Sequence, residues 1–155
     1  ISLKLDKKLF QSYYSLGIIY TDMQEHEKAV ENYIKALELN SESSEAHNNL
    51  ANLFSHLNNP EAEYHYKKTV ELVPNEIYPR LNISNYFIKN NKFEESLKHL
   101  KELLDMGLES KEVYNSLGVC YKGLNDDNGA SDMFRKSLEL DPDFVLAQKN
   151  LDSLD

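Results

Sequence analysis

The chain has 155 residues, of which 28% are charged and 41% hydrophobic, with a net charge of −9 and a pI near 5.0. That is the balance of an ordinary soluble protein of one domain's size. It lacks the basic excess that marks a nucleic-acid binder, and it disfavours docking on anionic lipid.

Residues 1–7 read as the end of a preceding repeat helix. SLKLDK at 2–7 matches ALELNS at 36–41 and SLELDP at 137–142, with Ser2 at the place of Ala36 and Ser137. The expectation is that the native protein continues N-terminally with more repeats. Repeat 1 spans 10–43, its first helix from about Lys8 to Asp22 and its second from His26 to Leu39. Apolar residues recur at three- and four-residue steps in both, the signature of amphipathic helices. Repeat 2 spans 44–76. Ser44 with Glu45 marks a helix start, and Asn58-Asn59-Pro60 breaks the pair. Pro60 suits a first helical turn, where its missing N–H costs nothing. Repeat 3, 77–110, departs most from the pattern. Arg80 replaces an aromatic, Leu103 replaces a small residue, and Gly107 supplies a left-handed helix stop. Repeat 4 is 111–144, and 145–155 form a C-terminal capping helix or the start of a further repeat.

The landmarks that define these repeats recur in phase. Leu16-Gly17, Tyr20, Ala29, Tyr33 and Ala36 return as Leu117-Gly118, Tyr121, Ala130, Phe134 and Ser137. Leu50-Ala51 and Ile83-Ser84 carry the theme between them. Leu16 to Ile83 is 67 residues and Ile83 to Leu117 is 34, so the period is 34 with one residue missing from repeat 2. The missing residue falls in the Asn58-Asn59-Pro60 break, which implies a tighter inter-helix turn there. A fixed period of this size indicates a solenoid.

This spacing resembles the tetratricopeptide repeat (TPR) family over nearly the whole chain. The resemblance implies an all-α fold, a right-handed superhelical solenoid of antiparallel helix pairs. Small residues at Gly17, Ala51, Ser84 and Gly118 are expected to face Ala29, Ala62, Ser96 and Ala130, with Tyr20, Phe54, Phe87 and Tyr121 beside them. Replacing Leu16 or Leu117 by Ala is expected to cost roughly 2–5 kcal/mol.

Catalytic and cofactor signatures are missing. The five glycines form neither a phosphate cradle nor a dinucleotide turn. The five histidines are scattered over different helices, and Cys120, the lone cysteine, reads as core. No cofactor, metal or enzymatic activity is implied. No apolar run reaches the roughly 18 residues of a membrane span, and no signal peptide is visible. A lone thiol is compatible with the cytoplasm without assigning it.

The family resemblance implies that first helices line a concave groove. Counted from each landmark Leu or Ile, the groove receives Tyr14, Ile18, Asn48, Asn49, Asn52, Asn82, Asn85 and Asn115. The helix starts and ends add Tyr78, Lys89 and Lys122. A carboxamide both donates and accepts hydrogen bonds, so it can pair with a peptide group whatever side chain follows. Asn49 and Asn82 would grip successive stretches of an extended peptide, in an arrangement similar to the asparagine ladder of O-linked N-acetylglucosamine transferases. The carboxylate clamp used on chaperone C-termini needs Lys and Arg at defined groove positions. Here those positions hold Tyr14, Ile18, Asn49, Tyr78 and Asn82, of which only Asn49 matches, and every required cation is missing. The leading expectation is a non-catalytic module binding a partner peptide or helix in this groove. Two alternatives remain open: an internal segment of a larger scaffold or self-assembling protein, and the substrate-recruiting arm of an enzyme whose catalytic domain lies elsewhere.

Overall fold

The computed structural model describes residues 2–154, with side chains from Leu5 onward. Among the described residues there are nine helices and no strand: α1 (Ser2–Asp22), α2 (His26–Leu39), α3 (Ser44–His56), α4 (Ala62–Leu72), α5 (Ile77–Lys89), α6 (Phe93–Asp105), α7 (Lys111–Gly123), α8 (Asp127–Leu140) and α9 (Val145–Asp152). They form two compact units that divide between Pro79 and Arg80. In the first unit, α1 packs on α2 and α3, and α3 on α2 and α4. In the second, α7 packs on α6, α8 and α9, and α9 on α8.

Local chemistry sets the helix ends. Ser43, Ser110 and Asp126 accept hydrogen bonds from the backbone N–H three residues on (Ala46, Val113 and Gly129), which satisfies donors that a helix start leaves orphaned. Each first helix stops at one left-handed residue: Gln24, Asn58, Asn91 and Asn125, with φ between 55° and 61°. The residue after it donates back to the aromatic landmark: Glu25 to Tyr20, Asn59 to Phe54, Lys92 to Phe87, Asp126 to Tyr121. This 6→1 bond is the Schellman stop. Gly107 ends α6 in the same way at φ 84°, as its position implied, with Leu108 bonded to the Leu103 carbonyl.

The missing residue of repeat 2 is absorbed just after this stop. In the other pairs, the residue after the left-handed one accepts from an N–H four residues on: Glu25 from Ala29, Lys92 from Ser96, Asp126 from Ala130. In repeat 2, Asn59 accepts from Ala62 and Pro60 from Glu63, three residues on. The tightening is thus a 3₁₀-type turn. Pro60 lies in that turn, ahead of α4 rather than in its first turn.

Two further expectations are corrected. No break follows residue 7: α1 runs unbroken from Ser2 to Asp22. Where repeats 1 and 4 break at Asn40-Ser41 and Asp141-Pro142, this stretch has Asp6-Lys7, and Lys is a better helix former than Ser or Pro. Ile1 lies outside the described residues, as does the side chain of Ser2 on which the equivalence to Ala36 rested. The second correction concerns the glycines. A Cβ on Gly17 would lie 2.6 Å from the Tyr33 ring, and one on Gly118 2.4 Å from the Phe134 ring. These glycines therefore meet aromatic rings four residues beyond Ala29 and Ala130. In repeat 3 the expected pairing holds, and Ser96 Oγ donates to the Ser84 carbonyl at 3.1 Å.

The cores contain the remaining landmarks. Ala29, Ala36, Leu50 and Ala51 are fully buried in the first unit; Leu100, Leu103, Leu117 and Phe134 are at most 1% exposed in the second. The exceptions are Tyr20 and Tyr121, which are half-buried, and Leu16, which is 38% exposed. Cys120 is buried, as expected of a core residue, and burial raises its thiol pKa against the opposing bond from Ser96. Arg80, at the departed aromatic position, forms an ion pair with Glu102 of α6.

Candidate functional site

In the first unit, α1 and α3 run side by side, joined through their polar groove residues. Asn49 Nδ2 donates to the Tyr14 hydroxyl at 3.1 Å. Tyr14 is half-buried and its ring stacks on Phe10, with centroids 5.9 Å apart. Burial raises the Tyr14 pKa; the Asn49 bond opposes this, and the charge of Glu45 adds to it. On the other side, the Tyr66 hydroxyl of α4 donates to Asn52 Oδ1 at 2.7 Å. Thr21 Oγ1 donates to the Gly17 carbonyl at 2.8 Å, so the Tyr33 hydroxyl, 3.3 Å away, is the donor to Thr21.

These bonds frame a cleft of about 580 Å³, whose lining includes Ile18, Asp22, Asn49, Asn52, Leu53 and His56. Asn49 and Asn52 are three residues apart on α3 and so share one face. Each carboxamide uses one end to brace the helices. Oδ1 of Asn49 and Nδ2 of Asn52 make no further hydrogen bond among the described residues. One acceptor and one donor therefore remain on the same cleft wall, the complement of a peptide N–H and C=O.

The other expected residues fall elsewhere. Asn48 is half-buried on α3, and Tyr78 is 76% exposed on the first turn of α5. Asn82, Asn85 and Lys89 lie on the part of α5 that belongs to the second unit, so Asn49 and Asn82 are in different compact units. Asn115 and Lys122 are engaged by α9 and the turn after it. Asn115 Oδ1 accepts from Asn150 at 2.9 Å, and Lys122 Nζ donates to the Ser153 carbonyl at 3.0 Å and its hydroxyl at 2.6 Å.

Histidine pairing was not foreseen. His26 of α2 and His56 of α3 have ring centroids 5.4 Å apart and both line the cleft. His47 of α3 and His65 of α4 meet Nδ1 to Nδ1 at 2.8 Å, and His47 Nε2 lies 3.1 Å from the Ser41 carbonyl. A carbonyl only accepts, so Nε2 of neutral His47 carries its proton, its Nδ1 accepts, and His65 Nδ1 donates. Burial, with the neighbouring His47, lowers the His65 pKa to about 4. Burial also lowers that of His47, against the opposing Ser41 bond. The partners are 30 and 18 residues apart, and no local spacing announces either pair. Among the described residues, no group of three or more metal-type ligands forms, and no helix is long and apolar enough to cross a membrane.

Residues 17–57 match the family model described as TPR repeat, and residues 111–144 match the one described as tetratricopeptide repeat. Protein O-mannosyl-transferase TMTC3 of Mus musculus is 29% identical over 156 residues, covering 90% of this chain and 17% of that protein. Superkiller complex protein 3 of Homo sapiens is 29% identical over 79 residues, 51% of this chain and 5% of that protein. Anaphase-promoting complex subunit 3 of Dictyostelium discoideum is 24% identical over 75 residues, 48% of this chain and 8% of that protein. The chain thus spans less than a fifth of the length of these relatives. Among solved structures, YrrB superposes with a TM-score of 0.83 at 22% identity, over 95% of this chain and 76% of its own. MamA superposes with a TM-score of 0.87 at 16% identity, over 96% and 81%. At these identities the structures speak for the fold, an all-α TPR-like solenoid. The in-phase landmarks, the repeated helix stops and both family models agree: the chain belongs to the tetratricopeptide repeat family, a family of protein-interaction modules.

Proposed function

We propose that this chain is a non-catalytic module that holds an extended segment of a partner polypeptide in the α1–α3 cleft of its first unit. The observation that carries the reading is the unspent acceptor of Asn49 beside the unspent donor of Asn52, in a cleft that also offers Ile18 and Leu53 as apolar contact. Tyr14 acts from behind, fixing the Asn49 carboxamide. Asn82, Asn85 and Lys89 belong to the second unit and are outside this cleft. Asn115 and Lys122, in the second unit, are already engaged by α9 and its following turn. YrrB, one of the similar structures, is described as a TPR protein with an unusual peptide-binding site, which supports a peptide as the class of partner.

Peptide binding by Asn49→Ala/Asn52→Ala and by Ile18→Ser, read by fluorescence anisotropy against a peptide captured by the wild type, tests this. Both variants should lose binding by about tenfold, roughly 1.4 kcal/mol. Ile18→Ser, at a position 36% exposed, should leave the unfolding curve in place. Unchanged affinity in both variants would move the site off this cleft.

A scaffold role is the second reading. Two relatives are named as parts of an anaphase-promoting and a superkiller complex, and the chain matches only 5–8% of each. An arm that recruits substrate for a catalytic domain is the third, favoured by the match to 17% of a protein named as an O-mannosyl-transferase.

A further inference from the structure

The end of α1 gives the cleft a sign of charge. Asp22, its last residue, is exposed, lines the cleft and makes no ion pair or hydrogen bond among the described residues. A helix C-terminus is already the negative end of the macrodipole, which cations stabilise and anions do not. The last turn of α1 carries no basic residue, whereas α3, α5 and α7 end with His56, Lys89 and Lys122. At the same register as Asp22, repeats 2 and 3 have His56 and Lys89. Lys28, near the start of α2, is taken by Glu25. The first unit's cleft therefore ends in a carboxylate that its own helix dipole opposes and that no protein cation offsets.

Building on the groove reading above, we propose that this cleft selects a segment carrying a lysine or arginine, whose cation meets Asp22 while its backbone pairs with Asn49 and Asn52. Ile18 and Leu53 give the aliphatic stem of such a side chain an apolar wall, as long basic residues require when only the head is charged. The net charge of −9 adds long-range attraction for a basic segment.

The test is selection of a random twelve-residue display library on immobilised wild-type chain at pH 7.5 and low salt, with Asp22→Asn and Asp22→Lys run in parallel. Wild type should enrich one position in Lys or Arg. The best peptide should bind Asp22→Asn about 3- to 10-fold more weakly, and high salt should erase that difference, as for a partly exposed ion pair. Replacing the peptide's basic residue by norleucine should cause the same loss, with no further loss on Asp22→Asn. Asp22→Lys should turn the enrichment toward Asp or Glu. Because Asp22 is exposed, neither variant should be less stable than the wild type, and Asp22→Lys should unfold slightly later, since the α1 dipole favours a cation there. Enriched peptides without a base, or equal binding to wild type and Asp22→Asn, would overturn the charge selection. If those peptides still lose binding on Asn49→Ala/Asn52→Ala, the groove reading survives alone. No enrichment on the wild type would overturn both.

Discussion

The Phe134 ring lies over the backbone of Gly118, so close that a Cβ there would sit 2.4 Å from Phe134 Cε1. Phe134 is fully buried and has no space into which to retreat. Gly17 and Tyr33 repeat the arrangement in the first unit at 2.6 Å. Glycine inside a helix normally costs about 0.5–1 kcal/mol relative to alanine. Here it admits a ring between two helix backbones. Gly118→Ala should therefore destabilise, by about 1–3 kcal/mol from overpacking, against the usual helix-propensity gain. Urea unfolding followed by circular dichroism measures the change, and a stabilised variant would disprove the close approach.

Gln24 occupies a left-handed position, φ 60°, that the other pairs fill with Asn58, Asn91 and Asn125. Asparagine tolerates this region because its short polar side chain bonds locally; glutamine has no such relief. Gln24→Gly should stabilise the first unit by about 0.5–1 kcal/mol, and Gln24→Asn by less. Asn125→Gln should destabilise. Thermal melts of the three variants should fall in that order.

Leu117 is 1% exposed and Leu16, at the same register of repeat 1, is 38% exposed. Equal penalties, expected from sequence, do not survive that difference. Leu117→Ala should cost about 2–5 kcal/mol, and Leu16→Ala less than about half as much. Parallel urea titrations of the two variants compare them directly.

The His47–His65 pair makes stability depend on pH. Both folded-state pKa values lie below the ordinary histidine value of 6.5, that of His65 at about 4. Below pH 6.5 the unfolded chain takes up protons that the folded pair refuses, so the linkage is destabilising as pH falls. The pair's contribution is complete above about pH 6.5 and is lost progressively toward pH 4. Protonating His47 Nδ1 would also set two donors face to face. Lys68, which lowers the His47 pKa, adds to the repulsion, while Glu42 lies in the same recess with the opposite charge. The urea midpoint should fall between pH 7 and pH 4.5, and His65→Gln should flatten that fall. An equal slope in the variant would remove the pair from the account.

Much of the architecture was legible because it depends on local sequence. The 34-residue period, the α2 boundaries at His26 and Leu39 and the left-handed stop at Gly107 follow from apolar spacing and from residues whose backbone preferences act within one turn. Tertiary structure decided what those preferences leave open. It made α1 continuous through Lys8, set Tyr33 and Phe134 against the glycines, and took up the repeat 2 deletion in a 3₁₀-type turn. It also decided the groove's chemistry. The sequence placed Asn49 and Asn52 on one helix face. Only the approach of Tyr14, 35 residues away from Asn49, and Tyr66, 14 residues away from Asn52, selected which end of each carboxamide is used and which remains. A polar atom buried between helices must find a partner. That partner is chosen by proximity in space, which residue spacing along the chain does not encode.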